Sequence, residues 1–182
     1  TRKESSAASD VYKRQVQLIM LTGQRVEEIA RLHVDQWDAK ERIIDWSKTK
    51  NLQPHAVPVP LLAAELIESI RPNEYGWYFP SAKDPSKPVS HGTLYSFVWR
   101  QRDRGVIPYA TNRDLRRTFK TLAGKAGVPK EIRDRLQNHA LQDVSSKHYD
   151  RWHYMVEKRA GMAKWDKFVR SMLAKKRLKL AA

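Results

Sequence analysis

The sequence predicts a mainly α fold with a small three-stranded antiparallel β-sheet, an α+β arrangement. Apolar residues recur every three to four positions along most of the chain, as they do on one face of a helix. Residues 33–60 instead show short β-branched and aromatic runs between polar turns, which is typical of paired strands. The 182 residues, 41% of them hydrophobic, suffice for one substantial core.

The first half of the chain contains the predicted sheet. Residues 1–15, TRKESSAASDVYKRQ, are polar and aperiodic, so we expect a disordered leader or a non-native, truncated edge. From Val16 the spacing is helical, with an interruption at Gly23. The strand-like runs HVDQWD, RIIDWS and HAVPVP follow, and Pro58 and Pro60 place the last strand at a sheet edge.

The second half of the chain is helical. Residues 61–71 predict a helix, and a loop over 73–90 leads to another helix capped by Ser90. Further helices are predicted in RDLRRTFKTLAGKAG, in PKEIRDRLQNHA and around residues 141–151. The last helix carries a basic face and one apolar stripe, formed by Met155, Met162, Trp165, Val169 and Met172.

The charge balance indicates a polyanionic partner. Lys and Arg number 35 against 20 Asp and Glu, which gives a formal net charge of +15. No apolar run is long enough to span a bilayer, and no secretory signal is visible. The chain has no Cys, which excludes disulfides and thiolate metal sites. We therefore expect a cytoplasmic nucleic-acid-binding protein, with a merely solvated basic surface as the alternative.

Few side chains qualify as nucleophiles, and the six histidines show no metal-ligand spacing. Tyrosine remains, and its phenol is suited to attacking a phosphodiester and storing the bond energy as phosphotyrosine. That reaction needs guanidinium groups on the non-bridging oxygens, an acid for the leaving alkoxide and an acceptor for the phenol proton. It needs neither a metal ion nor a cofactor if enough arginines are supplied.

The sequence supplies cationic groups at suitable places. Arg25 has Glu28 at i+3, where the carboxylate can orient the guanidinium. Arg113 and Arg116 have the same i, i+3 spacing at a helix start, where backbone N–H groups add anion affinity. Arg117 lies beside them. His139 lies at the end of the next predicted helix, Tyr149 lies ten residues beyond it, and Lys48 and Lys50 lie in a hairpin loop.

In this order, the motifs resemble those of the tyrosine recombinase catalytic domain, most closely of phage and genomic-island integrases. The resemblance covers about residues 16–155. It is carried by Thr22-Gly23-Gln24-Arg25 through Glu28, a hairpin lysine before Val-Pro, Arg113-Asp114-Leu115-Arg116-Arg117-Thr118-Phe119, Gln137-Asn138-His139, and Tyr149 in HYDR. In the family the hairpin lysine lies about eight residues before the proline, which favours Lys50 over Lys48.

The resemblance implies the DNA breaking-rejoining catalytic-domain fold and a site-specific recombinase that cleaves through a 3′-phosphotyrosyl intermediate. Tyr149 would be the nucleophile, and Lys50 would protonate the leaving 5′-oxygen. The implied phosphate ligands are Arg25, Arg116, His139 and Arg113. The supporting residues are Glu28 beside Arg25, with Lys48 and Arg117 as DNA-binding cations.

Two positions depart from the family pattern. Arg113 stands where the family has a histidine, and arginine accepts no proton at ordinary pH. His148, water or a substrate oxygen are therefore left as acceptors of the phenol proton. Asn138 replaces a glycine, and asparagine tolerates the left-handed backbone.

The resemblance also implies partners. We expect double-stranded DNA with a specific recombination site, a homotetramer on that DNA, and no membrane or small-molecule substrate. Residues 156–182, an amphipathic helix and basic tail, would dock on a neighbouring subunit or fold back on their own chain. The alternatives are a non-catalytic or truncated DNA-binding module of the same fold and a type IB topoisomerase.

Overall fold

The fold is mainly helical and contains one small sheet, as predicted. The computed structural model describes residues 6–46, 54–139 and 154–181. The predicted helix around 141–151 therefore lies outside the described residues. The elements are α1 (Ser6–Thr22), α2 (Val26–Ala30), a 3₁₀ turn (Val34–Gln36), β1 (Trp37–Asp38), β2 (Ile43–Trp46), β3 (His55–Pro58), α3 (Leu61–Glu68), α4 (His91–Asp103), α5 (Asn112–Lys125), α6 (Lys130–Leu136) and α7 (Met155–Ala181).

The sheet has the order β1-β2-β3, and both strand pairs are antiparallel. Ile44 of β2 faces Val57 of β3, and both side chains are fully buried, so this register places the apolar side of the sheet on the core. β3 is an outer strand, which confirms the prediction from its prolines. The first predicted strand is reduced to β1, because the middle of HVDQWD, Val34–Gln36, forms the 3₁₀ turn instead.

Helix α1 begins at Ser6, so the expectation of a disordered leader is wrong for residues 6–15. The physical reason is a buried face that starts earlier than Val16. Tyr12 and Gln15 are buried, and Leu18 and Ile19 continue the same face, at intervals of three or four residues. Gln15 hides this periodicity in the sequence because it occupies a core position with a polar side chain.

The helix starts around the predicted site follow the capping rules. Ser90 Oγ accepts from the Thr93 backbone N–H at 3.3 Å at the start of α4, as predicted. At α5, the Thr111 backbone N–H donates to Asp114 Oδ2 at 2.9 Å. The single acid among the arginines of this turn therefore caps the helix, and it also pairs with Arg117 at 3.3 Å.

Helix α7 packs on the core of its own chain. Met162, Trp165 and Val169 of the predicted stripe are buried, and the helix contacts α3, α5, α6 and β3. The Trp165 indole N–H donates to the Leu21 carbonyl at 2.8 Å, which ties this helix to α1. Met172, at the far end of the stripe, is 37% exposed. None of the described helices is both long and apolar enough to cross a membrane.

Candidate active site

Glu28 holds the side chain of Arg25 at the start of α2. Arg25 Nη1 donates to Glu28 Oε1 at 2.7 Å, and the Arg25 backbone N–H donates to Glu28 Oε2 at 2.9 Å. Glu28 is buried, so water competes little for its oxygens. Arg25 is the residue before the helix and Glu28 closes its first turn, so the i+3 spacing produces both contacts.

Arg116 reaches the same carboxylate from α5. Its Nη1 lies 4.0 Å from Glu28 Oε2, and its side chain is 15% exposed. Nη1 is buried and has no hydrogen-bond partner among the described residues. Burial, together with the charge of Arg25, lowers the pKa of Arg116 to about 10, and Glu28 opposes this shift. The guanidinium therefore remains charged at neutral pH.

Both guanidinium groups are anchored on the turn that follows α6. Arg25 Nη2 donates to the Asn138 carbonyl at 3.1 Å, and Arg116 Nη2 donates to the Gln137 carbonyl. Asn138 has φ 49°, in the left-handed region, and this turns the chain after α6. Asparagine tolerates that conformation better than most residues, so the replacement of glycine is accommodated as expected.

Two buried glutamines connect the segments that carry these arginines. Gln24 Nε2 donates to the Leu136 carbonyl at 2.8 Å. In the opposite direction, Gln137 Nε2 donates to the carbonyls of Gly23 and Arg116, at 3.2 and 3.0 Å. The turn before α2, helix α5 and the end of α6 are thereby tied together by amides. Sequence reasoning missed this function of both residues, because nothing in the spacing separates a buried glutamine from a surface one.

His55 of β3 joins the same network. Its Nε2 lies 3.1 Å from Gln24 Oε1. Gln24 Nε2 already donates to two carbonyls, so its Oε1 is the acceptor and His55 Nε2 is the donor. Burial lowers the pKa of His55 to about 3; Lys158 adds to this shift and the Leu136 carbonyl opposes it. The ring is therefore neutral at pH 7.

Gly23 lets helices α1 and α5 approach each other beside the arginines. Its φ is 71°, and a Cβ atom at this position would overlap the ring of Phe119. A side chain here would push α5 away from the turn that carries Arg25. The glycine of the Thr-Gly-x-Arg motif thus serves packing in this chain.

His139 lies two residues beyond the Gln137 carbonyl and contacts two charged side chains. Its Nδ1 is 3.2 Å from Lys120 Nζ and 3.3 Å from Asp134 Oδ1. Lys120 and Asp134 also form an ion pair with each other. Burial lowers the pKa of His139, and so do Arg116 and Lys120, while Asp134 opposes them. No motif in the sequence points to Lys120 or Asp134.

Two other predicted residues lie outside this cluster. Arg113 is exposed and makes no hydrogen bond or ion pair with the described part of the chain. Arg117 is exposed and pairs with Asp114. Of the three arginines in this turn, Arg116 is therefore the one whose side chain meets Glu28. Arg113 and Arg117 lie on the exposed side of the start of α5.

The predicted nucleophile and the hairpin lysines lie outside the described residues. They are Tyr149, Lys48 and Lys50, and the alternative base His148 is also in an undescribed range. Within residues 6–46, 54–139 and 154–181, no group of three or more His, Asp or Glu side chains is placed to hold a metal ion.

The described cluster has the chemistry of an oxyanion-binding site. Arg25 uses two of its donor groups on Glu28 and Asn138, and Arg116 uses one on Gln137, so both keep N–H groups for a further acceptor. The two guanidinium groups face one buried carboxylate, which offsets only part of their charge. The acceptor that completes such a cluster is an anionic oxygen.

Comparison with known proteins agrees with this fold. A model of the phage integrase family matches residues 2–153. Prophage integrase IntF of Escherichia coli strain K12 is 28% identical over 160 residues, which cover 78% of this chain and 33% of IntF. The chain thus spans about a third of that curated relative.

Solved structures show the same fold. The integrase from mycobacterium phage Brujita superimposes with a TM-score of 0.69 at 19% identity, covering 91% of this chain and 53% of that one. A lambda integrase tetramer bound to a Holliday junction has a TM-score of 0.59 at 18% identity, covering 78% of this chain and 43% of that one.

Proposed function

The chain belongs to the phage integrase family, and from this premise we propose that it carries the catalytic domain of a site-specific DNA recombinase. The observation that supports this most directly is the buried Nη1 of Arg116, which has no acceptor in the described part of the chain. A buried cationic N–H group without a hydrogen-bond acceptor costs free energy of roughly 1–3 kcal/mol or more unless a ligand accepts from it. A non-bridging phosphate oxygen is such a ligand.

The geometry of the arginines suits the two non-bridging oxygens of a phosphodiester better than an anion that one arginine binds at the surface. Arg25 and Arg116 approach from different helices and share Glu28, so their remaining donors can address two oxygens of one phosphorus. The network of Gln24 and Gln137 holds both in place before substrate arrives. Fixed donors of this kind stabilise the charge that develops in the transition state.

The proposed reaction is a transesterification. The phenol oxygen of Tyr149 attacks the scissile phosphorus, the bond from phosphorus to the 5′-oxygen breaks, and a 3′-phosphotyrosyl bond forms. Lys50 gives a proton to the leaving 5′-oxygen, with Lys48 as the alternative donor. The phenol proton passes to His148, to water or to a substrate oxygen, since Arg113 accepts none. His139 and Arg113 add donors to the phosphate.

The proposed partner is double-stranded DNA. The formal net charge of +15 suits a polyanion, and Arg113 and Arg117 extend the basic surface outward from the site. The lambda integrase structure is a tetramer on a Holliday junction, and we infer a homotetramer for this chain on its own DNA. Its place would be the bacterial cytoplasm, on the nucleoid.

A nicked suicide substrate tests the proposal. The probe is a set of duplexes tiled across the DNA that flanks the gene, each nicked beside the candidate scissile phosphate, so that cleavage releases a short strand and traps the intermediate. We expect a covalent protein–DNA adduct on one duplex, and its loss in Tyr149→Phe. Arg116→Met should slow adduct formation by about 10²–10³-fold, as for one oxyanion donor.

The matched control is Arg71→Met, because Arg71 is exposed. Its adduct rate should equal that of the wild type. Salt-sensitive DNA binding without an adduct would contradict the enzyme and support the DNA-binding module. Relaxation of any supercoiled plasmid, with no site requirement, would support a topoisomerase instead.

A further inference from the structure

Three side chains beside the candidate site meet in a triangle. Lys120 lies one helical turn after Arg116 on the same face of α5, and Asp134 lies on α6. Lys120 Nζ contacts Asp134 Oδ1, and each of these atoms lies 3.2–3.3 Å from His139 Nδ1. The side chains of Lys120 and Asp134 are 31% and 15% exposed, so the ion pair is partly shielded from water.

The triangle decides where the proton of a neutral His139 ring is held. An ammonium group only donates, so towards Lys120 the Nδ1 atom must be an unprotonated acceptor. A carboxylate only accepts, so towards Asp134 the same atom must carry the proton. A ring with one proton cannot satisfy both at once, and the hydrogen bond at Nδ1 determines the state of Nε2.

The charges around Asp134 favour the first arrangement. Its Oδ1 pairs with Lys120, and its Oδ2 lies 3.6 Å from Lys130 Nζ, so two cations already compete for this carboxylate. Lys120 keeps further N–H groups beyond the one used on Asp134, and His139 Nδ1 is the neutral acceptor that the described residues bring within reach. Arg133 fixes the spacing of α5 and α6 here, since its Nη1 donates to the Lys120 carbonyl at 2.8 Å.

We propose that Lys120 and Asp134 are positioning residues for His139. Lys120 donates to Nδ1, the ring proton is held on Nε2, and Nε2–H becomes a fixed hydrogen-bond donor to a phosphate oxygen. Asp134 holds the ammonium at the right distance. This inference rests on the proposed function, because the phosphate is the substrate of the proposed reaction. It assigns His139 the role of donor and not of general base.

The tautomer is tested directly by ¹⁵N NMR of the histidine rings in the full chain, with His139→Gln identifying the signals. We expect a protonated, pyrrole-type Nε2 and an unprotonated, pyridine-type Nδ1 near pH 7.5. In Lys120→Met the pattern should move towards a protonated Nδ1 that donates to Asp134. A wild-type ring with a pyridine-type Nε2 would overturn the proposal.

The second arm measures single-turnover adduct formation on the nicked duplex. Lys120→Met should lower the rate on the order of 10- to 100-fold with DNA affinity unchanged, and Lys120→Arg should restore part of it. Lys125→Met is the matched control, because Lys125 is an exposed lysine of the same helix. It should react at the wild-type rate.

A double-mutant cycle separates positioning from a general loss of structure. In the His139→Gln background, Lys120→Met should cause no further loss of rate, because its effect is exerted through the ring. Independent losses that multiply would contradict the proposal. If Lys120→Met fails to fold, Lys120→Met/Asp134→Asn removes both charges together and takes its place in each comparison.

The two proposals fail in different ways. A wild-type chain that forms no adduct contradicts the recombinase activity, while the NMR measurement still decides the tautomer. An active chain whose His139 tautomer does not respond to Lys120→Met contradicts only the positioning role.

Discussion

At the scale of single residues, Glu28 balances two guanidinium groups that would otherwise repel each other. It lies between Arg25 and Arg116, at 2.7 and 4.0 Å, and is buried. One carboxylate against two cations leaves a net positive site, which favours the binding of an anion. The sequence allowed the prediction of Arg25 with Glu28, because both lie in one short motif. Arg116 lies 91 positions beyond Arg25, and the prediction that it joins them came from the family resemblance alone.

The first prediction concerns the pH dependence that His55 introduces. Its pKa is about 3 in the folded chain against 6.5 for the free side chain, so below pH 6.5 the unfolded state takes up a proton that the folded state does not. The stabilisation is complete above pH 6.5 and is lost as the pH falls towards 3, by about 1.4 kcal/mol per pH unit. Urea denaturation of wild type and His55→Gln between pH 6.5 and 4.5 measures the difference.

His55→Gln should show the shallower slope, because glutamine can donate to Gln24 without titrating. Denaturation at pH 8 is the control, since there the ring is neutral in both folded and unfolded chains. Parallel slopes for the two proteins in the acid range would contradict a buried neutral His55.

The second prediction compares two glycines with the same backbone conformation. Gly23 and Gly105 have φ 71° and 69°, but a Cβ atom would overlap Phe119 at Gly23 and meet nothing within 4 Å at Gly105. Gly105→Ala should cost about 1–2 kcal/mol for the left-handed backbone. Gly23→Ala should cost about 1–3 kcal/mol more, because of overpacking. Equal losses of unfolding free energy would show that the Phe119 ring moves aside without a cost in stability.

At the scale of secondary-structure elements, α7 contributes to the core through one side of its first half. The Trp165 ring packs edge-on against Phe119 of α5 with ring centroids 5.4 Å apart, and its indole N–H bonds to α1. A single aromatic residue thereby joins three helices. The apolar stripe could be predicted from spacing, whereas its partner surface could not, because spacing shows which residues are buried but not against what.

The third prediction follows from that packing. Trp165→Ala should lower the free energy of unfolding by about 3–5 kcal/mol, as expected for a large aromatic removed from a core. Leu173→Ala is the control within the same helix, since Leu173 is 49% exposed and should change stability by less than about 0.5 kcal/mol. Thermal or urea denaturation measures both. A Trp165→Ala chain of wild-type stability would contradict the docking of α7 on its own core.

The start of α1 shows why element boundaries were the weaker part of the sequence prediction. Tyr12 and Gln15 belong to the buried face, yet the leader around them is polar. Tertiary contacts with α3 and α5 stabilise this helix, and they are not visible in local spacing. The cap at Ser90 could be predicted, because it depends on residues three positions apart.

At the scale of the whole molecule, charge should dominate the affinity for DNA. The fourth prediction is that the observed binding constant falls linearly with salt on a log–log plot. A protein that neutralises about six to ten phosphates loses roughly 10³–10⁵ in affinity between 50 and 200 mM salt. Arg117→Gln should make the slope shallower by about one unit, because it removes one phosphate contact. Fluorescence anisotropy measures both, and a flat plot would contradict backbone binding.

The assembled site shows how far sequence reasoning extends. Arg25, Glu28, Arg116 and His139 could be named because their motifs are local and ordered along the chain. The contacts of Gln24, Gln137, Lys120 and Asp134 could not be predicted, since they join positions 14 to 114 residues apart through ordinary polar side chains. Their function depends on burial and orientation, which only the folded chain defines.

The anchoring of both arginines on main-chain oxygens has a consequence for the evolution of this protein. A carbonyl group is present whatever amino acid a codon specifies, so no missense change at 137 or 138 deletes the acceptor itself. The hydrogen bonds that hold Arg25 and Arg116 therefore depend on the path of the backbone after α6 and not on the identity of a partner side chain. Asn138, which stands where the resemblance gives a glycine, therefore still presents its carbonyl to Arg25.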